Sequence, residues 1–198
     1  MGTDVVEPEA AARPRCPWAG GSALELSYHD HEWGRPNHND RHLFEMLVLE
    51  GAQAGLSWRL ILTRREAYRR AFHDFDMARV AAMTDEELEG LIASSGIIRN
   101  RTKIRSARTN ARVALDVVKE HGSLDRYLWS FVDGKPIVNH WTRREDVPAR
   151  TDVSDTMSKT LQKRGFGFVG STICYALMQA TGMVNDHLTS CFCHPAYR

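Results

Sequence analysis

The chain has 198 residues, 26 Lys and Arg against 25 Asp and Glu, and 42% hydrophobic residues. That length suits one domain or two small lobes, and the apolar fraction excludes wholesale disorder. No run approaches the ~18 apolar residues of a membrane span, and a net charge of +1 excludes a histone-like polycation.

Residues 1–14 are rich in Ala, Glu and Pro without periodicity, and read as a mobile arm; from there 15–198 reads as one helical domain. The N-terminus lacks a basic segment followed by an apolar one, so a cytosolic protein is expected. In that reducing setting the four Cys are expected to be free thiols or metal ligands. Residues 40–50 predict a helix capped by Asp40, with Leu43, Met46 and Leu47 on one face. Ser57 is expected to cap a helix reaching Phe72. Thr84 and Glu87 form a capping box for a helix ending near Gly96. A long helix follows from about Arg101 to His121, stopped by Gly122. Ser123 opens a short helix through Val132, 135–150 reads as a polar loop, and Ser154 starts a helix reaching Arg164. After Gly165-Phe-Gly-Phe-Val-Gly170 a last helix runs from Ser171 to about Ala180. The fold class is all-α with short connections, which favours antiparallel neighbours.

The charge conceals an asymmetry: 21 Arg against 5 Lys, and Arg is the better fork for phosphate. Residues 99–112 carry six cations and no acid. They are expected on the solvent face of a helix whose apolar side is Ile104, Ala107, Ala111 and Leu115, where an unpaired stripe is either solvated surface or a phosphate track. Arg59, Arg64, Arg65, Arg69 and Arg70 form a second cluster, which Glu66 can partly neutralise. The three glycines between Lys163 and Ser171 give a turn in which backbone N–H groups can approach a phosphate, with a helix N-terminus behind it. That turn resembles the helix-hairpin-helix motif; a plain helical hairpin with glycine caps is the alternative.

Cys16 and His29 lie near the start; His187 and Cys191, spaced i,i+4, lie near the end. Two Cys and two His suit a closed tetrahedral zinc site, but His31, Cys193 and His194 compete on spacing, and buried thiols are the plainer account. Cys174 sits in an apolar helix and reads as core. Trp18, Tyr28, Trp33 and Trp58 fall within 41 residues, beside Glu50 and the glycine-containing loop that follows it. Singly such rings fill cores; as a group beside a carboxylate they suggest a box for a flat aromatic ligand, with stacking contributing about 1–3 kcal/mol per base.

Taken together, Cys16-Pro-Trp18, Tyr28-His-Asp-His-Glu-Trp-Gly34, Glu50-Gly-Ala-Gln-Ala-Gly-Leu-Ser-Trp58, Gly96-Ile-Ile-Arg-Asn-Arg-Thr-Lys-Ile104, Leu128-Trp-Ser-Phe-Val132, Lys163 to Tyr175 and Val184-Asn-Asp-His187 resemble the constitutive DNA-3-methyladenine glycosylase I family of the helix-hairpin-helix superfamily. The resemblance covers nearly the whole chain after the arm. It implies two lobes sharing a base pocket, one structural zinc held by Cys16, His29, His187 and Cys191, and a pocket built by Trp18, Tyr28, Trp33 and Trp58. It implies that Glu50 contacts the extruded base and Leu56 wedges into the duplex. Gly165, Gly167, Gly170, Ser171 and Thr172 would then grip DNA backbone. The expected substrate is double-stranded DNA carrying 3-methyladenine, the expected state a monomer, with no membrane partner. Two positions depart from the family pattern: Glu25 stands where some members have a pocket aromatic, and Ala52 where Gln is common. Asp186 lies near the superfamily's catalytic Asp, but the family manages without one. Two other functions compete: a zinc-stapled nucleic-acid-binding module without activity, and a zinc hydrolase using His29, His31 and Glu32.

Overall fold

The computed structural model describes residues 13–94 and 96–197; almost all of the expected N-terminal arm lies outside them. The described chain is predominantly helical. In order it forms α1 (Ala23–His31), α2 (Asp40–Gln53), α3 (Trp58–Ala71), α4 (Met77–Ala82), α5 (Asp85–Ser94), α6 (Arg101–His121), α7 (Leu124–Trp129), α8 (Asp152–Arg164) and α9 (Ser171–Ala180). Short 3₁₀ turns occur at Pro17–Gly21, His73–Phe75, Ser130–Val132 and Arg144–Asp146. Two dipeptide strands, β1 (Ile137–Val138) and β2 (Val184–Asn185), pair in parallel.

α2 is the central helix. The expected face of Leu43, Met46 and Leu47 is buried, but so are Phe44 and Leu49 on the other side, because α3, α6, α7 and α9 surround it. A helix apolar all round belongs inside, and α2 carries Glu50 inside with it. Its N-cap is Asn39, which accepts from the N–H of His42. Asp40, the expected cap, instead accepts from the N–H groups of Leu124 and Asp125 at the start of α7. One carboxylate thus ties two helix N-termini together, an arrangement the chain's local pattern does not signal.

α6 is amphipathic. Ile104, Ala107, Ala111, Ala114 and Val117 are buried, whereas Leu115 is only half-buried. The alanines let α4 approach α6 closely. The 99–112 stretch has no acid of its own, and α5 supplies two: Arg101 and Arg105 share Glu89, and Arg108 pairs with Asp85. Arg112 donates to the carbonyl of Ala81. Two acids thus pair with three of the six cations, and the stripe keeps an excess of positive charge.

The capping box of Thr84 and Glu87 is formed in both directions. α8 starts earlier than expected. Thr151 is its cap, and Ser154 is the reciprocal partner three residues on. Between α8 and α9 the chain turns through Gly165, whose φ of 98° lies in the left-handed region that glycine tolerates. No described helix is long and apolar enough to cross a membrane.

Candidate base pocket and metal cluster

A cavity of about 550 Å³ opens where α1, the C-terminal end of α2, the start of α3 and α9 converge. Trp18, Tyr28, Trp33, Glu50 and Trp58 all line it. The rings form a continuous wall: Trp18 meets Trp33 edge-on with centroids 4.9 Å apart, and Tyr28 meets Trp58 at 5.2 Å. These are ordinary aromatic contact distances.

Glu50 is 4% exposed, and its carboxylate has no hydrogen-bond or ion-pair partner among the described residues. Burial alone pushes its pKa up to about 8. Tyr28 beside it is also buried, and its phenol is pushed well above the usual range, by burial first and by Glu50 second. The indole Nε1 of Trp58 is a buried donor without a partner among the described residues. Buried polar groups normally find partners, so an unpaired acceptor and an unpaired donor in one cavity wall mark a surface shaped for a ligand.

Several further lining residues were not singled out as pocket residues by the sequence pattern. Gln53, Arg144, Val147, Pro148 and Gln179 also face the cavity, and so does Asp186. The 144–148 segment arrives through the β1–β2 pairing, a long-range contact that local patterns do not reveal. Glu25 lines the wall too. Its Oε2 accepts from Arg59 Nε at 2.8 Å and from Ser22 Oγ at 3.1 Å. Asp186 is buried and saturated: Oδ1 accepts from Asn139 and Trp141, and Oδ2 accepts from Tyr175 and Gln179. A carboxylate holding four donors is a structural hub.

Behind Trp18 and Trp33 lie His29 and His187, with centroids 5.3 Å and 4.7 Å from the respective indoles. Cys16, His29, His187 and Cys191 are all buried, and their ligand atoms lie within 4.8 Å of one another. Together they can hold a metal ion. Each imidazole is oriented by its other nitrogen. His29 Nδ1 lies 2.7 Å from Asp30, which Arg15 also grips, and His187 Nε2 lies 3.0 Å from the carbonyl of Trp33. Such outer hydrogen bonds fix the ring that faces a metal. The Arg15 hydrogen bond, reinforced by His29, holds the Asp30 carboxyl down at about 2. The thiol of Cys191 is drawn well below its usual range by its hydrogen bond with Cys16 and by both imidazoles.

Of the competitors, His31 is exposed, His194 lies against the carbonyl of Asn139, and Cys193 groups only with His29 and Asp30. Glu32 is paired with Arg65, so His29, His31 and Glu32 do not form an open metal site.

Leu56 sits 38% exposed in the loop between α2 and α3, after Gly55 at φ 78°. In the α8–α9 hairpin the N–H of Gly167 donates to Asn110, whose amide donates back to the Gly167 carbonyl. Gly170 is the N-cap of α9 and supplies no side-chain hydrogen bond, so the first N–H groups near Ser171 and Thr172 have no side-chain cap.

A sequence model described as methyladenine glycosylase matches residues 18–194. DNA-3-methyladenine glycosylase 1 of Escherichia coli K12 is 48% identical over 181 residues, 91% of this chain and 97% of that one. DNA-3-methyladenine glycosylase of Haemophilus influenzae is 46% identical over 179 residues, 90% and 97% of the two chains. A crystal structure of 3-methyladenine DNA glycosylase I superposes with a TM-score of 0.88 at 50% identity, covering 92% of this chain and all of that one. A Staphylococcus aureus 3-methyladenine DNA glycosylase I, solved to explain its recognition of 3-methyladenine, gives 0.86 at 33% identity, covering 93% and 96%. The chain belongs to the methyladenine glycosylase family, enzymes that hydrolyse N-glycosyl bonds.

Proposed function

We propose that this enzyme extrudes 3-methyladenine from alkylated double-stranded DNA and hydrolyses its N-glycosidic bond, leaving an abasic site. The reading rests above all on Glu50, an unpartnered buried carboxylate in an aromatic cavity. Methylation at N3 makes the purine cationic, so the base departs with the C1′–N9 electron pair as a neutral molecule. Water then adds its oxygen to C1′ and gives up a proton. The leaving group needs little acid help, and the residues' work is extraction and recognition. Trp18, Tyr28, Trp33 and Trp58 would stack on the ring faces and edges. Glu50 would accept from the adenine edge and offset its positive charge. Unmodified adenine is neutral and gains less from that carboxylate. Extrusion costs a few kcal/mol, less for a damaged base; Leu56 would offset part of it by filling the vacated stack. Gly165, Gly167, Gly170, Ser171 and Thr172 would hold the phosphate backbone through N–H and hydroxyl donors. Residues 15–198 act in this reading as one monomeric glycosylase domain whose two lobes share the pocket.

The Cys and His cluster fits a structural zinc. In a tetrahedral site with ordinary Zn–S and Zn–N bonds, sulfur and nitrogen ligand atoms lie about 3.6 Å apart. Here Cys16 Sγ to His187 Nδ1 is 3.6 Å, Cys191 Sγ to His187 Nδ1 is 3.5 Å and Cys191 Sγ to His29 Nε2 is 3.4 Å. Zinc held by these four residues would supply a fixed cross-link behind the pocket wall.

Incubation with methylated duplex DNA, followed by mass spectrometry of released bases and cleavage at abasic sites, tests the proposal. Free 3-methyladenine with matching abasic sites is expected; intact DNA after incubation with the folded protein contradicts it.

A further inference from the structure

Lys103 stands in the first turn of α6, within the cationic segment. Its arginine neighbours Arg101 and Arg105 reach out to Glu89, but Lys103 has no carboxylate partner among the described residues. Its Nζ donates to the carbonyl of Ala52 at 2.9 Å and to that of Ala54 at 2.7 Å. These are the last carbonyls of α2, where orphan acceptors and the negative end of the helix dipole favour a cation. The same ammonium lies 5.9 Å from the ring centroid of Phe168, in the α8–α9 hairpin. Burial lowers the pKa of this lysine.

The other side of the junction is equally tight. Phe168 has φ 56°, left-handed for a non-glycine residue. Gly51 abuts it so closely that a Cβ there would lie 3.0 Å from the Phe168 Cβ and 3.3 Å from its carbonyl oxygen. Gly167 is held by Asn110 from α6. The loop that ends in Leu56 and the hairpin are therefore joined through α6, with Lys103 the charged bolt between them. A wedge transmits work into a base stack only if its support is stiff, because a loose loop spends binding energy on its own ordering.

We propose that Lys103 is a positioning residue that locks the 52–56 loop against the 165–170 hairpin, so that Leu56 enters the duplex on a rigid support. The inference rests on the reading of Leu56 as the wedge. Its test uses the full-length protein, with Lys103→Met and Lys103→Arg compared by amide hydrogen exchange and single-turnover excision. Lys103→Met is expected to raise exchange at 52–56 and to slow excision from methylated duplex DNA by about tenfold or more, as small misplacements do. It should leave the affinity for free 3-methyladenine, measured by calorimetry, unchanged. Lys103→Arg keeps donors for both carbonyls and should restore most of each loss. Unchanged exchange at 52–56 overturns the proposal. So does a salt dependence of DNA binding shallower by about 0.9 in Lys103→Met, which would make this lysine a phosphate contact. Leu56→Ala separates the two readings: normal excision by that variant refutes the wedge and the link to extrusion, while exchange in Lys103→Met still decides whether the lysine holds the loop.

Discussion

Cys16 Sγ and His187 Nδ1 lie 3.6 Å apart although 171 residues separate them in the chain. The two ends of the described chain meet behind the indoles of Trp18 and Trp33, so the back of the pocket is built on the junction of the termini. A cross-link there restrains one wall of the cavity without touching a substrate. If the cluster holds the proposed zinc, Cys191→Ala is expected to abolish stoichiometric metal and to destabilise the fold by roughly 3–5 kcal/mol, as severe single substitutions do. Elemental analysis and thermal melting measure both. Chelation should lower the melting temperature and activity together; full activity lost with no change in melting would instead indicate zinc chemistry.

Glu50 gives the protein a pH-dependent stability of unusual sign. Its folded pKa, about 8, lies above the ordinary 4.5, so folding favours the protonated form. That contribution is complete below about pH 4.5 and is lost as pH rises through 8. Above pH 8 the buried carboxylate costs on the order of a few kcal/mol. Glu50→Gln removes the titration, so it is expected to melt close to the wild type at pH 5 and several degrees higher at pH 9. Parallel melting curves at the two pH values would contradict this. The same titration implies that binding a cationic nucleotide releases a proton, so kcat/KM should climb with pH toward 8.

Trp58 contributes an unpaired indole N–H and one face of the ring wall. Trp58→Ala should weaken binding of free 3-methyladenine by about 1–3 kcal/mol, the ordinary magnitude of a base stack. Trp58→Phe should keep most of that affinity and leave stability unchanged or slightly raised, since a buried donor without a partner is removed. Isothermal calorimetry with the free base resolves the two; equal affinity in Trp58→Ala would place the base elsewhere.

Asp186 joins Asn139 and Trp141 of the 139–141 segment to Tyr175 and Gln179 of α9. An asparagine there can accept from only one side and points an NH₂ at donors. Asp186→Asn is expected to cost about 2–4 kcal/mol, more than one lost hydrogen bond, because buried donors are left unpaired. Excision should recover at temperatures where the variant is folded. An inactive variant with wild-type melting would instead give this carboxylate a part in the chemistry.

The helices were legible because their signals are local: Gly122 and Gly165 close α6 and α8 in the left-handed region, and Thr84 with Glu87 opens α5. α1 and α4 were not anticipated; α4 is only six residues long, too short for periodicity to speak. The acids that pair with part of the α6 stripe were invisible for the opposite reason. Asp85 and Glu89 come from a different helix, and a single helix's pattern says nothing of its neighbour. In the pocket, the rings and Glu50 are crowded in sequence and stand out. Gln179, Asp186 and the 144–148 segment reach the same cavity from the far end of the chain, and only the fold brings them there.

The role of Glu50 is tested most directly by single-turnover release of 3-methyladenine from methylated duplex DNA, wild type against Glu50→Gln, at matched folded concentration and metal content. The wild type should release the base and leave abasic sites, and the variant should fall behind by about 10²-fold or more, the scale set by removing one preorganised electrostatic group. Equal rates from the two proteins would contradict the account.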